Sequence, residues 1–229
     1  MPLYTKRWAV ETCQQFFGLS AADVAQIAGA HGQTPMLDLW QRDPAGFYEH
    51  PWQVLRQEWW HMTSGMYPHP GFWAALPDNA HILDYGCGTG EVIRPWLMMR
   101  QDSASVVVLA EPSVTCRAYL AHKYASVLAA GMDVRIASAP LSYPPDTFDA
   151  VICTDVLEHV PDPMPLQRAL WATLKPGGHA LLKMETAYPH AGHLREAVEQ
   201  FPIWKQWLFD HTELIEVETY GWVRKPEKG

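Results

Sequence analysis

From Ala80 onward, short apolar runs alternate with longer stretches that carry apolar residues at helical spacing. The runs predict strands at 81–84, 105–110, 133–137, 148–154, 178–185 and 212–219. The stretches between them predict helices at 91–100, 113–130, 163–174 and 193–209, the last broken near Pro202. Such alternation builds a mostly parallel sheet covered on both faces. Residues before Pro77 lack it. Helices are expected there at 4–17, at 20–29 with Ser20 and Asp23 in a capping-box-like arrangement, and at 51–62 with proline in the first turn. Asp43-Pro44, His50-Pro51 and residues 67–71 mark turns. The expected division is an aromatic-rich, mainly helical cap over 1–77 and an α/β domain over 78–229.

The stretch ILDYGCGTGE, residues 82–91, is the most informative. It reads as a buried strand running into a loop with Gly86, Gly88 and Gly90, followed by a helix. Glycines let the backbone approach a ligand and take angles that other residues resist. A helix start offers unpaired N–H groups and a partial positive charge, which suit an anionic group beside a nucleoside. Asp84 stands at the strand's carboxyl end, where open α/β sheets place ligands. The next apolar run ends directly on Glu111, and an acidic residue there can accept hydrogen bonds from two ribose hydroxyls. Glycine loop and acid together also fit part of a dinucleotide-binding fingerprint.

DYGCGTG followed by LAEPS resembles the Rossmann-like, class I S-adenosylmethionine-dependent methyltransferases. FDAVICTDVLEHVPDP (148–163) resembles their fourth-strand motif, LWATLKPGGHALLKM (170–184) the helix, turn and fifth strand that follow, and LSYPPDTFDA (141–150) the approach to strand four. The resemblance covers about 79–185. It implies a mostly parallel seven-stranded sheet with helices on both faces. S-adenosylmethionine is the cofactor it implies, with S-adenosylhomocysteine as product. By the same resemblance the loop of Asp84, Tyr85, Gly86, Cys87, Gly88 and Gly90 holds the amino-acid end, Glu111 the ribose, and Pro112 lies along the adenine. Ala137 and Ser138 stand where the family often has an acidic residue followed by alanine, so Ser138 or backbone groups are expected to serve the adenine amine. Asp155 and Val156 are expected close to the cofactor.

Composition narrows the partners. The 229 residues carry a net charge of −8, which disfavours a general nucleic-acid binder. Four scattered cysteines without a CxxC pair read as buried small residues in a reducing compartment. No signal peptide or membrane span is apparent, so a cytoplasmic protein with a small-molecule substrate is expected; its oligomeric state is open.

A methyl group on a sulfonium is already electrophilic, so transfer needs mainly an acceptor atom held in line, roughly 3 Å away. A hydroxyl acceptor also needs a base, and His159 in TDVLEHV is the candidate; the same histidine could instead shape the loop. Asp155, Glu158 and His159 resemble the metal-binding segment of ubiquinone-biosynthesis O-methyltransferases and small-RNA 2′-O-methyltransferases. No metal ligand is assigned; His190, His193 and His211 could supply another donor. Aromatic residues crowd two regions, among them Trp40, Tyr48, Trp52, Trp60, Tyr67 and Trp73 in the first, and Tyr188, Trp204 and Trp207 in the second. Core packing is the expectation for most, and an acceptor pocket for the rest. Arg56, Arg94, Lys183 and Arg195 are candidates to meet an anionic group.

The expected function is methylation of a small organic acceptor, with oxygen favoured. The alternatives are a macromolecule methyltransferase, an NAD-dependent oxidoreductase, or a non-catalytic cofactor-binding protein.

Overall fold

The computed structural model describes residues 6–29, 33–44, 46–64, 70–100, 104–140, 142–216 and 221–227. Seven strands form one sheet in the order β3-β2-β1-β4-β5-β7-β6: β1 (His81–Tyr85), β2 (Val106–Ala110), β3 (Asp133–Ala137), β4 (Phe148–Thr154), β5 (Leu174–Lys183), β6 (Glu213–Glu216) and β7 (Gly221–Arg224). The first five run parallel; β7 is antiparallel to both β5 and β6. The fold class is the one expected. Sequence periodicity located β6 but not β7, whose four residues GWVR offer little alternation; 217–219 of the expected last strand lie outside the described residues.

Burial on both faces follows from the period of two. Ile82, Val107, Leu109, Ala150 and Ile152 pack with Trp96, Leu97 and Leu120 on one face. Their neighbours Leu83, Val108, Ala110, Val151 and Cys153 pack with Leu170, Trp204 and Leu208 on the other. These helical residues belong to α6 (Arg94–Met99), α7 (Val114–Lys123), α9 (Pro163–Thr173) and α11 (Phe201–His211). The expected helix at 113–130 is two pieces, α7 and α8 (Ala125–Ala129), separated at Tyr124. That at 193–209 is α10 (Arg195–Val198) and α11, with Pro202 in the first turn of the second piece, where a missing N–H costs nothing. The helix expected from 91 begins only at Arg94.

The N-terminal region is helical: α1 (Lys6–Phe17), α2 (Ala21–Gly29), α3 (Gln33–Arg42), α4 (Pro51–Ser64) and α5 (Pro70–Ala74). The capping box is present, with Asp23 N–H donating to Ser20 Oγ (3.1 Å) and Ser20 N–H to the Asp23 carboxylate (2.7 Å). Neither α3 nor α5 was expected. In the 67–71 turn region, residues 67–69 lie outside the described ones and Pro70 opens α5. Cys13 of α1 and Val54 and Leu55 of α4 pack against Cys116 and Tyr119 of α7. A 3-10 turn, Phe47–Glu49, fastens this region to the sheet domain. The Glu49 carboxylate accepts from the N–H groups of Val114 (3.0 Å) and Thr115 (2.7 Å), capping α7 where its dipole favours an anion. No described helix is long and apolar enough to cross a membrane.

Candidate functional site

Chain direction across the sheet reverses between β1 and β4, and ligands of open α/β sheets bind at the carboxyl ends of strands at such a point. A cavity of about 580 Å³ lies there. Tyr85, Gly86 and Gly88 line it from the loop after β1, Glu111 and Pro112 from the end of β2, and Asp155, Val156, Glu158 and His159 from the end of β4. Gln53, Arg56 and Gln57 of α4, Tyr48 of the 3-10 turn, Lys183 at the end of β5, and Glu185, His190 and His193 beyond it contribute further walls.

The glycine loop has the backbone that its sequence requires. Gly86 and Gly88 have φ of +68° and +52°, in the region that side chains resist. A Cβ on Gly86 would stand 2.4 Å from Val156. Glu111 closes the loop: its two carboxylate oxygens accept from Gly88 N–H and Ser113 N–H, each at 2.9 Å. Burial raises its pKa.

Asp84 is 2% exposed, and its Oδ2 is buried without a hydrogen-bond partner. Burial, with Glu111 nearby, pushes its pKa up to about 8. An unsatisfied buried carboxyl calls for a donor or cation, which the amino-acid end of S-adenosylmethionine would bring. Glu111, Asp84 and the left-handed glycines thus fit that group. A consequence is testable without ligand. A carboxyl whose folded pKa exceeds its unfolded value of about 3.9 stabilises the fold at low pH, and that contribution is lost as pH rises from about 4 to 8. The melting temperature should fall by several degrees between pH 5.5 and 8, and Asp84→Asn should flatten this slope. An equal slope in the variant would deny Asp84 the burial energetics described.

Not every expected contact is made. Cys87 packs toward the core, Gly90 faces Leu120 and Tyr124, and Ser138 is exposed, its hydroxyl donating to Ala139 O (3.4 Å). Ala137 spends its carbonyl on Glu111 N–H (3.0 Å). None of these four lines the cavity, nor does Asp84; Ala139 and Pro140 do. The chain turns into the site two residues later than motif spacing suggested.

On the far wall, His159 Nδ1 lies 2.7 Å from Gly192 O and 2.9 Å from the Tyr48 hydroxyl. A carbonyl only accepts, so Nδ1 carries the hydrogen and Nε2 keeps its lone pair. Burial lowers the His159 pKa and holds the ring neutral at pH 7. His193 Nδ1 likewise donates to Ala187 O (2.7 Å), and burial pushes its pKa down to about 4. Glu158 is fully buried and pushed up to about 8 by burial and by Asp155. Asp155 itself pairs with Lys183 (2.7 Å).

The four cations weighed in the sequence separate clearly. Lys183 is paired, Arg94 pairs with Glu91 (2.9 Å), and Arg195 lies over the Tyr188 ring (5.2 Å). Arg56 lines the cavity and forms no ion pair among the described residues. Four of the aromatics, Phe47, Phe72, Trp73 and Trp204, are buried in apolar clusters, and Phe47 also touches the cavity beside Tyr48. Trp60 and Tyr67 lie outside the described side chains. Sequence reasoning missed Gln53 and Gln57. With Arg56 they form a polar stripe at i, i+3 and i+4, opposite the buried Val54, Leu55 and Glu58, and that spacing was the available signal.

Comparison with known proteins gives the family. A ubiquinone biosynthesis O-methyltransferase of Xanthomonas campestris pv. campestris (strain B100) is 36% identical over 119 residues, covering 51% of this chain and 47% of the relative. One from Pseudomonas entomophila (strain L48) is 32% identical over 114 residues, 48% of this chain and 46% of the relative. The matched region thus spans about half the length of these curated relatives. A solved SAM-dependent methyltransferase from Aquifex aeolicus is a looser likeness, at 15% identity with a TM-score of 0.49, covering 64% of this chain and 81% of that one. A family described as methyltransferase domain matches residues 69–222, more than half of the chain. The chain belongs to this methyltransferase domain family, within the class I S-adenosylmethionine-dependent superfamily.

Proposed function

We propose that this chain transfers the methyl group of S-adenosylmethionine to an oxygen of a small organic acceptor. The observation that carries the proposal is one cavity with two unlike walls. The glycine loop and Glu111 stand on one side, and neutral histidines with free Nε2 lone pairs stand on the other. The curated relatives, named as O-methyltransferases, point the same way.

Bound S-adenosylmethionine supplies an electrophilic methyl group on a sulfonium. Gly86, Gly88 and Asp84 would seat its amino-acid end, and Glu111 the ribose hydroxyls. Arg56 suits a carboxylate, whether of that end or of the acceptor. Tyr48 and Gln53 would border the acceptor. Held by these residues, the donor would offer its methyl in line with an acceptor oxygen, with the thioether sulfur of S-adenosylhomocysteine as leaving group. In a cation-free cavity His159 Nε2 takes the hydroxyl proton. Positioning in line and exclusion of water supply much of the acceleration.

Methyl-labelled S-adenosylmethionine, offered with phenols, catechols, hydroxy acids and amines, should label an oxygen acceptor. His159→Ala should then lower kcat about 100-fold or more while S-adenosylhomocysteine affinity changes little. Label confined to amine nitrogen, or full turnover in His159→Ala, would refute the assignment.

A further inference from the structure

We infer that the acceptor is a small hydroxy acid whose carboxylate is taken by Arg56, with the Gln53 amide beside it on α4. Transfer to oxygen rests on the proposed function; the carboxylate subsite does not. Arg56 is half-buried in the cavity wall and makes no hydrogen bond or ion pair among the described residues. Burial lowers its pKa, with no nearby carboxylate to oppose the effect. The acids that line the same cavity are engaged with other groups. Glu111 holds Gly88 and Ser113, Asp155 pairs with Lys183 (2.7 Å), and Glu185 accepts from the N–H groups of Thr186 (2.8 Å) and Ala187 (3.2 Å). Glu158 is pushed up to about 8, which favours its uncharged form at neutral pH. Taking a charge out of water is costly without a partner. The partner that Arg56 lacks therefore arrives with an occupant. Gln53 repeats the pattern: its Oε1 is buried with no hydrogen-bond partner.

The course of α4 gives that anion to the acceptor. Gln57 rests against Gly88, where a Cβ would stand 2.4 Å from its amide, and Glu58 holds Lys123, which donates to Thr89 O. Gln57 and Glu58 thus mark the flank of α4 that faces the glycine loop. Successive helical residues are turned by about 100°. Arg56 therefore leaves the helix on the other side of Gln57 from Glu58, and Gln53 lies between Arg56 and Gln57 one turn earlier. The amino-acid end of the donor belongs to the loop, and the guanidinium enters the cavity from the flank turned away from it. Its planar fork matches a carboxylate with two parallel hydrogen bonds, and the Gln53 amide can add a donor or accept from a hydroxyl. The surroundings also set the charge. A carboxylate brings one negative charge, whereas a phosphate dianion would face Glu111 and Asp155 across the same cavity with a single counter-charge. Phe47, Tyr85, Val156, Val160 and Ala191 supply apolar walls for the body of the molecule. The hydroxyl to be methylated would then lie toward His159.

The test is calorimetric titration of the chain saturated with S-adenosylhomocysteine. The probes are salicylate, protocatechuate and lactate, each beside its uncharged carboxamide, with phenyl phosphate as contrast. At least one acid should bind saturably, and its carboxamide at least about 10-fold more weakly, because hydrogen bonds to a charged group are the stronger ones. Arg56→Gln should weaken the acid by at least about 10-fold and leave the carboxamide unchanged. Arg56→Lys keeps the charge but loses the fork; it should weaken the acid less, without touching the carboxamide, and it decides the matter should Arg56→Gln fail to fold by circular dichroism. Affinity for S-adenosylhomocysteine should change little in either variant. No saturable binding of any acid, equal binding of acid and carboxamide, or tighter binding of phenyl phosphate would overturn the proposal. So would a loss in Arg56→Gln confined to S-adenosylhomocysteine, which would give the guanidinium to the donor's own carboxylate. Labelled methyl donor separates this subsite from the proposed function. Anthranilate bound through Arg56 and labelled on nitrogen, with no hydroxy acid labelled, would sink oxygen transfer and leave the subsite standing. Oxygen labelling of an uncharged phenol at full rate in Arg56→Gln, with no acid labelled, would do the reverse.

Discussion

Replacing Lys123 with Met should cost about 3–5 kcal/mol of stability, the usual penalty for removing one partner of a buried ionic group. Lys123 is 3% exposed; its ammonium donates to Thr89 O (2.8 Å) in the loop after β1 and pairs with Glu58 of α4 (2.8 Å) and with Glu91. It thereby joins α4, α7 and the glycine loop at one atom. One cation faces two carboxyls. Lys123 and Arg94 hold the Glu91 pKa down, while burial drives that of Glu58 up. The arrangement is one lysine between two buried carboxyls, in which burial favours the neutral form of Glu58 more than that of Glu91. Without the ammonium, Glu91 loses its main buried counter-charge. Glu58→Gln, which keeps the shape and a neutral side chain, should cost only about 1 kcal/mol. Urea unfolding of both variants checks this. A loss below about 1 kcal/mol for Lys123→Met would show that the cap does not depend on this link.

Glu111→Ala should weaken S-adenosylhomocysteine binding by at least about 100-fold. Hydrogen bonds to a charged group contribute about 1.5–3 kcal/mol each, and two ribose hydroxyls would be lost together. The backbone also loses support, because Gly88 N–H and Ser113 N–H both donate to this carboxylate in the ligand-free protein. Calorimetry on the variant, with its fold checked by circular dichroism, measures the effect. A decrease smaller than about fivefold would mean that the ribose is held elsewhere.

The sheet was legible because its strands are buried on both faces. Runs such as VVVLA and AVICT have no other stable home, and each placed its strand to within a residue or two. The glycine loop and Glu111 were legible because left-handed backbone and a strand-ending acid leave local signatures. Less visible was whatever depends on distant contact. β7 exists through its pairing with β5, not through its own pattern. The Glu158–His193 proximity depends on the course of α9, β5 and the loop beyond β5, which the local sequence does not encode. Asp155 shows the converse: its spacing suggested a ligand, and a lysine on the neighbouring strand claims it. Ser138 stands outside the cavity lining, which Ala139 and Pro140 supply, because motif spacing fixes the end of a strand better than the turn that follows.

The most direct measurement is calorimetric titration of the purified chain with S-adenosylhomocysteine, beside the same titration with NAD and with the Gly88→Val variant. Gly88 has φ of +52°, where a β-branched residue is strained, and its Cβ would meet the Gln57 side chain at 2.4 Å. Saturable one-to-one binding of S-adenosylhomocysteine is predicted for the natural sequence, none for NAD, and none for a folded Gly88→Val. No heat with the adenosyl compound, or equal affinity in the variant, would contradict the assignment of this cavity to the methyl donor.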